Sequence, residues 1–356
     1  MKKLVALALA LVLAFGLSLT ALAASIDIGM ITDIGTIDDK SFNQGTWEGV
    51  KAFGEANGKT YQYYQPTAQS TDMYLEKIDQ AVQDGAKVIV TPGYLFEPPI
   101  FQAQDMYPDV HFILIDGYPN NGVFGPDNVA HTAENTVGIK YAEEQAGYLA
   151  GYAAVVEGYT KLGFMGGMAV PAVVRYGYGF VQGANDAAKV KGIKSIAINY
   201  HYTGGFSATP EVQAMAASWY SSGIEVIFAC GGAVGNSVMA AAEANNGKVI
   251  GVDVDQSNES PTVITSAMKG LAASVEQELA AYDAGAFPGG QNLIMSAKNQ
   301  GVSLPMATSQ FKVFTQADYD ALYAKLAGDE IKIQNDADAA TVNDLKVDVA
   351  LVTLIQ

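Results

Sequence analysis

Short apolar runs that end on a small or acidic residue recur along this chain, and between them lie stretches whose apolar residues return every three or four positions. A brief apolar run closed by Gly or Asp suits a strand buried on both faces, while the longer stretches suit amphipathic helices. Their alternation predicts parallel βα units. Strands are expected at 28–31, 87–90, 111–115, 162–165, 196–200, 225–229, 249–252 and 263–266. Helices are expected at 47–56, 73–83, 142–156, 177–188, 211–221 and 237–244. The same rhythm occupies both halves of the chain, which predicts an α/β protein of two doubly wound parallel-sheet lobes. No short repeat or low-complexity tract interrupts it, which argues against a solenoid.

Residues 1–23 read as an export signal: Lys2 and Lys3, an apolar run at 4–15, and Ala21-Leu22-Ala23 as cleavage site. The run is short for a bilayer span. Removing it leaves 356 − 23 = 333 residues, enough for two domains of about 150 residues each. The division expected is a first lobe of 24–134 plus about 256–290 and a second of 135–255 plus about 291–356. Crossings would lie near 130–135 and again near 253–260, where Asp, Gln, Ser, Asn and Pro break the pattern, and several crossings make a hinge.

The net charge of −17 becomes −19 without Lys2 and Lys3, a field that repels nucleic acid and anionic membrane surfaces, so no nucleic-acid partner is expected. Cys230 is the only cysteine, so an internal disulfide and a cysteine metal cluster are both excluded; it reads as a buried thiol at a strand end. No cysteine follows the signal to carry a lipid, and a soluble, exported, extracytoplasmic protein is expected. His111, His131 and His201 are scattered, and neither a metal nor a cofactor is expected.

In open α/β sheets ligands sit beyond the carboxyl ends of the strands. The residues following the apolar runs are Asp33, Gly93, Asp116, Gly166-Gly167, His201, Gly231-Gly232 and Asp253. Glycine lets backbone approach a ligand, and a carboxylate accepts from sugar hydroxyls or N–H donors, although each is also an ordinary turn residue. Phe206 lies in the glycine-flanked loop Thr203-Gly204-Gly205-Phe206-Ser207, where an aromatic suits a ligand face as well as a core position. Phe42 is either a buried residue opening the helix of Trp47 or a second such face, and Lys269 is either a solvated charge or a ligand contact. Asp38-Asp39 reads as a solvated turn. Ser266-Ala267-Met268-Lys269 fits S-x-x-K without its S-D-N and K-T-G companions, and no P-loop, G-x-S-x-G or H-E-x-x-H occurs, so no catalytic residues are assigned.

The stretch Thr32-Asp33-Ile34-Gly35-Thr36-Ile37-Asp38-Asp39-Lys40-Ser41-Phe42-Asn43-Gln44-Gly45-Thr46-Trp47 is distinctive. With Glu144 to Gly151, Gly163 to Pro171, Arg175, Gly179-Phe180, Gly231 to Asn236, Gly251 to Gln256 and Thr265 to Lys269, it resembles the basic membrane protein family, the purine nucleoside receptor A-like (PnrA-like) binding lipoproteins of ABC importers. The resemblance implies the periplasmic-binding-protein type I fold, a non-enzymatic monomer, an ABC permease as partner and a purine nucleoside as ligand. It also implies that Phe42 and Phe206 sandwich the purine, that Asp33 and Asn43 read the base edge, and that Asp116, Asp253 and Lys269, with backbone near Gly232, hold the ribose. The chain departs from the family in lacking the lipidated cysteine and in its acidic total. Other readings are a binding protein for a sugar or other small polar ligand, a nucleoside-processing enzyme built on the aspartates, and a sensor that presents ligand to a receptor.

Overall fold

The computed structural model describes residues 25–123 and 125–355, so the expected export signal at 1–23 lies outside the described residues. Strands β1 (Ile28–Ile31), β2 (Tyr61–Tyr64), β3 (Val88–Pro92), β4 (His111–Ile115) and β5 (Thr136–Tyr141) build a first sheet. Strands β6 (Lys161–Gly166), β7 (Ile196–Tyr202), β8 (Val226–Cys230), β9 (Lys248–Asp253) and β10 (Val263–Lys269) build a second. The chain then returns β11 (Gln291–Met295) to the first sheet and places β12 (Val302–Ser303) and β13 (Ala350–Leu354) on the two edges of the second. The orders are β11-β5-β4-β3-β1-β2 and β12-β10-β9-β8-β6-β7-β13. Every pairing is parallel except β10 with β12. Central strands such as β1, β3 and β8 are buried along their whole length, as the uninterrupted apolar runs require of strands covered on both faces.

The helices are α1 (Phe42–Asn57), α2 (Thr71–Gln83), α3 (Glu97–Met106), α4 (Glu143–Val156), α5 (Pro171–Val190), α6 (Pro210–Ser221), α7 (Val234–Asn245), α8 (Leu271–Asp283) and α9 (Gln316–Ala327). Their ends follow local chemistry. The Ser70 side chain caps α2, Thr209 caps α6 with Pro210 in its first turn, and Thr315 with Asp318 forms a capping box on α9. Helix α8 lies against α1, where a Cβ on Gly49 would meet Ala272 backbone at 2.8 Å.

The crossings between lobes differ from expectation. Strand β5 pairs with β4 and β11 in the first sheet, so the chain passes to the second lobe at Ala142, beyond the expected 130–135; Ala130 instead forms an isolated bridge to Asn120 in a loop. The polar tract after Asp253 is a loop at the end of β9, its Gln256 buried, and β10 still belongs to the second sheet, so the return crossing comes at Gly270. A third crossing runs from Met295 to Val302. By strand membership the first lobe therefore takes residues 28–141 and 291–295, and the second takes 161–269 and 302–354. The crossings are bonded side by side: Ala142 N–H donates to Met295 O at 2.9 Å, Gly270 N–H to Gly301 O at 2.9 Å, and Ala297 N–H to Gln145 Oε1 at 2.8 Å.

Candidate functional site

The carboxyl ends of β1, β3 and β4 in one lobe and of β8, β9 and β10 in the other open on one cavity of about 270 Å³. Asp33, Phe42, Asn43, Asp116, Phe206, Gly232, Asp253 and Lys269 all line it. The turn after β1 is tied to the start of α1. Asp33 Oδ1 accepts from Gly35 N–H at 2.7 Å and from Asn43 Nδ2 at 2.9 Å. Asn43 Nδ2 also donates to Asp39 Oδ2 at 3.0 Å, and its Oδ1 accepts from Asp33 N–H at 3.3 Å. The Asn43 amide hydrogens are thus engaged within the turn and orient Asp33, whose Oδ2 faces Gly93 across the cavity mouth. Gly93 has φ 116°, and an added Cβ would stand 3.3 Å from that oxygen. Burial pushes the Asp33 carboxyl up to about 6, against the hydrogen bonds from Gly35 and Asn43.

Asp39 corrects the solvated-turn reading. It is buried, and its carboxylate accepts from the backbone N–H groups of Ser41 (2.8 Å), Asn43 (3.0 Å) and Gln44 (3.1 Å) at the start of α1. Asp38 alone is exposed. The cap sets the first turn of α1, and with it the half-buried ring of Phe42. From the opposite lobe, the loop after β7 carries Phe206, half-buried over Gly167, where an added Cβ would meet the ring at 2.5 Å. Gly232 has φ 55° and lies beside Phe206 O.

Asp116 follows β4 and Asp253 ends β9, and the two share an unusual backbone, with φ of 62° and 66°. The left-handed region is uncommon for residues with a Cβ, though Asp tolerates it better than most. Each turn aims a carboxylate at the cavity floor. Asp253 Oδ2 accepts from Ser41 Oγ at 2.5 Å and its Oδ1 from the Tyr176 hydroxyl at 3.3 Å. Asp116 Oδ2 pairs with Lys269, while its Oδ1 is buried without a hydrogen-bond partner among the described residues. Burial pushes Asp116 up to about 6 despite the Lys269 charge, and burial likewise raises Asp253. Burial works against the Lys269 ammonium, but Asp116, Glu143 and Asp253 outweigh it and hold Lys269 charged. Its Nζ lies 5.0 Å from the Phe42 ring centroid and 5.5 Å from that of Tyr176.

The reading of strand ends misses Glu143, which forms an ion pair with Lys269 and accepts from Arg175, because the pattern does not reveal β5. Tyr94 also lines the cavity; it follows Gly93, and that glycine turn was its one signal. Tyr176 lies inside α5, where nothing in the pattern distinguishes it from core. His201, expected among the strand-end residues, faces the other way: its Nδ1 pairs with Ile355 O at 2.8 Å beside β13. Cys230 is buried at the end of β8 on the cavity wall, and burial raises its thiol well above the ordinary range.

Two parallel-sheet lobes joined by adjacent crossings, with one cavity between their strand ends, define the periplasmic-binding-protein type I class. A solute-binding protein of an ABC transporter system from Aeropyrum pernix K1 shares this fold at a TM-score of 0.73 and 21% identity, covering 89% of this chain and 95% of that one. The chain belongs to the PnrA-like ABC transporter substrate-binding proteins, whose family model matches residues 26–336. The ABC transporter nucleoside-binding protein BmpA of Lactococcus lactis is 31% identical over 80% of this chain and 83% of its own length. Basic membrane protein A1 of Borrelia garinii is 29% identical over 85% of this chain and 87% of its own length. As a family member the chain is an extracytoplasmic substrate-binding protein that takes a small-molecule ligand and works with a membrane permease. Among the described residues no helix is long and apolar enough to cross a membrane.

Proposed function

We propose that the cavity captures a purine nucleoside and that the lobes close on it for delivery to the permease by a soluble monomer. The observation that carries this reading is the pairing on one cavity of a half-buried phenylalanine from each lobe with a floor of carboxylates that keep free acceptor positions. A purine offers two flat faces, which suit Phe42 and Phe206, and each such stack is worth about 1–3 kcal/mol. A ribose offers hydroxyl donors, and Asp116 Oδ1 is a buried acceptor that lacks one. Asp33 Oδ2, held in place by Asn43, would accept from N–H groups on the base edge. The related BmpA, named as nucleoside-binding, supports the same assignment.

Closure follows from which lobe supplies which contact. Phe42, Asp33 and Asp116 stand on one sheet's side and Phe206, Gly232 and Asp253 on the other, so a ligand touching both adds to the direct bonds between lobes, Ser41 to Asp253 and Lys269 to Asp116, that favour the closed form. The test is a thermal-shift screen of residues 24–356 against nucleosides, bases, nucleotides, pentoses and hexoses, followed by calorimetry. Purine nucleosides are expected to bind tightly and remain intact, and their monophosphates to bind at least tenfold more weakly, because a phosphate meets the carboxylate floor. Stabilisation by sugars alone would remove the nucleoside, and release of free base would make the protein an enzyme.

A further inference from the structure

The cleft floor contains an ionic cluster that reaches beyond any plausible ligand contact. Lys269, the last residue of β10, pairs with Asp116 of the first lobe and with Glu143 Oε1 at 3.0 Å. Glu143 is the first residue of α4, one position past the Ala142 crossing, and has no exposed surface. Its other oxygen accepts from Arg175 Nε at 2.5 Å, from α5 of the second lobe. Arg175 Nη1 continues to the Asp336 carboxylate at 3.4 Å in the C-terminal segment. The chain of charges therefore touches two of the three crossings and both lobes.

We propose that Glu143 is a positioning residue that holds Lys269 against Asp116 of the opposite lobe in the ligand-ready geometry, and that Arg175, braced by Asp336, keeps Glu143 in place beside the hinge. The physical argument rests on what Lys269 would otherwise do. An ammonium on a flexible four-carbon stem has no directional preference, and three aromatic rings, Phe42, Tyr141 and Tyr176, surround it within 5.5 Å. A second carboxylate, itself held by Arg175 Nε, restricts where it can sit. Ordering Lys269 in turn holds one Asp116 oxygen and leaves the other for the ligand. Rotation of the lobes about Ala142 and Gly270 carries Glu143 and Lys269 together against Asp116 of the first lobe, so the cluster ties cleft geometry to hinge position.

The groups facing the cluster are Asp116 and Asp253 from the strand ends, Tyr141 and Tyr176 from β5 and α5, Cys230 from β8, Glu144 beside Glu143 on α4, and Tyr118 from the loop after β4. Glu143 raises the Asp116 carboxyl by like charge, as Asp253 does more weakly. Neutralising Glu143 while leaving its shape should let Asp116 ionise at lower pH.

This inference rests on the cavity being the ligand site, and the experiment separates the two. In the full mature chain, Glu143→Gln is expected to weaken purine-nucleoside binding roughly tenfold, within the usual range for coupling between sites. It should also move the acid limb of the binding-versus-pH curve to lower pH. Arg175→Lys, which keeps the charge but cannot bridge two carboxylates, is expected to weaken binding several-fold with an unchanged acid limb; it decides the matter if Glu143→Gln does not fold. Hydrogen exchange of the ligand-free variants should be faster at Ala142, Gly270 and Gly301 than in the parent. Folded variants with parental affinity, pH profile and exchange overturn the positioning role. If the parent chain binds no nucleoside but the exchange effect is present, the nucleoside assignment falls and the hinge clamp stands.

Discussion

Phe206 tests the cleft at the scale of one side chain. Its ring is half-buried over Gly167 in a loop and packs only on the margin of the core, so truncation is expected to cost the cleft far more than the fold. Phe206→Ala is expected to weaken nucleoside affinity by about 1–3 kcal/mol, roughly ten- to a hundredfold, with the melting temperature of the free protein unchanged; calorimetry and thermal unfolding read the two. Protonation gives a second test. Asp33 and Asp116 hold their protons to about 6, above the ordinary 3.8. Between those values the folded chain binds more protons than the unfolded one, so this contribution to stability is present at low pH and is lost as pH rises through about 6. Ligand donors favour the ionised forms, so affinity should move the opposite way, rising from about pH 5 and levelling above about pH 7. Calorimetry across that range, with urea unfolding alongside, would expose a flat affinity profile. The carboxylates were legible in the sequence because each ends an apolar run. Glu143 and Tyr176 were not, since a charged residue after an unrecognised strand and a tyrosine within a helix look like ordinary surface and core.

At the scale of elements, the closest packing is between α4 and α5. An added Cβ at Gly147 or Gly151 would stand 2.1 Å from the carbonyl oxygens of Tyr176 or Phe180, and one at Gly179 or Gly183 would meet those of Glu144 or Tyr148 as closely. Four glycines, two per helix at a spacing of four, let backbone touch backbone. Helix propensity favours alanine over glycine by about 0.5–1 kcal/mol, whereas overpacking costs about 1–3 kcal/mol or more where only backbone can yield. Gly151→Ala is therefore expected to destabilise the protein, and a rise in urea midpoint would show that the helices can part. The six expected helices and eight expected strands all formed, with ends shifted by a few residues. Strands β2, β11 and β13 go unread. They lie at sheet edges with partly exposed faces; YQYY lacks a continuous apolar run, while the apolar runs in QNLIM and ALVTL end on neither a glycine nor an acidic residue. Strand β5 is interior, but its short TVGIKY carries a glycine and a lysine that mask it.

At the scale of the molecule, the two-lobed plan was legible and the crossing points were not, because a break in hydrophobic pattern marks any loop, including one that lines a binding cleft. What decides a crossing is which sheet accepts the next strand, a long-range choice that local composition does not encode. The cleft between the lobes also gives the chain its own gauge of opening. Cys230 is the sole thiol in the sequence, is buried, and sits on the wall of that cleft. A water-soluble thiol reagent can reach it only while the cleft gapes, so labelling rates count openings rather than average shape. Saturating nucleoside is expected to slow labelling by at least tenfold, by closing the cleft and by covering its wall, and an unchanged rate would count against capture there. One sulfur thus reports how often the cleft is open and uncovered, with no probe added to the chain.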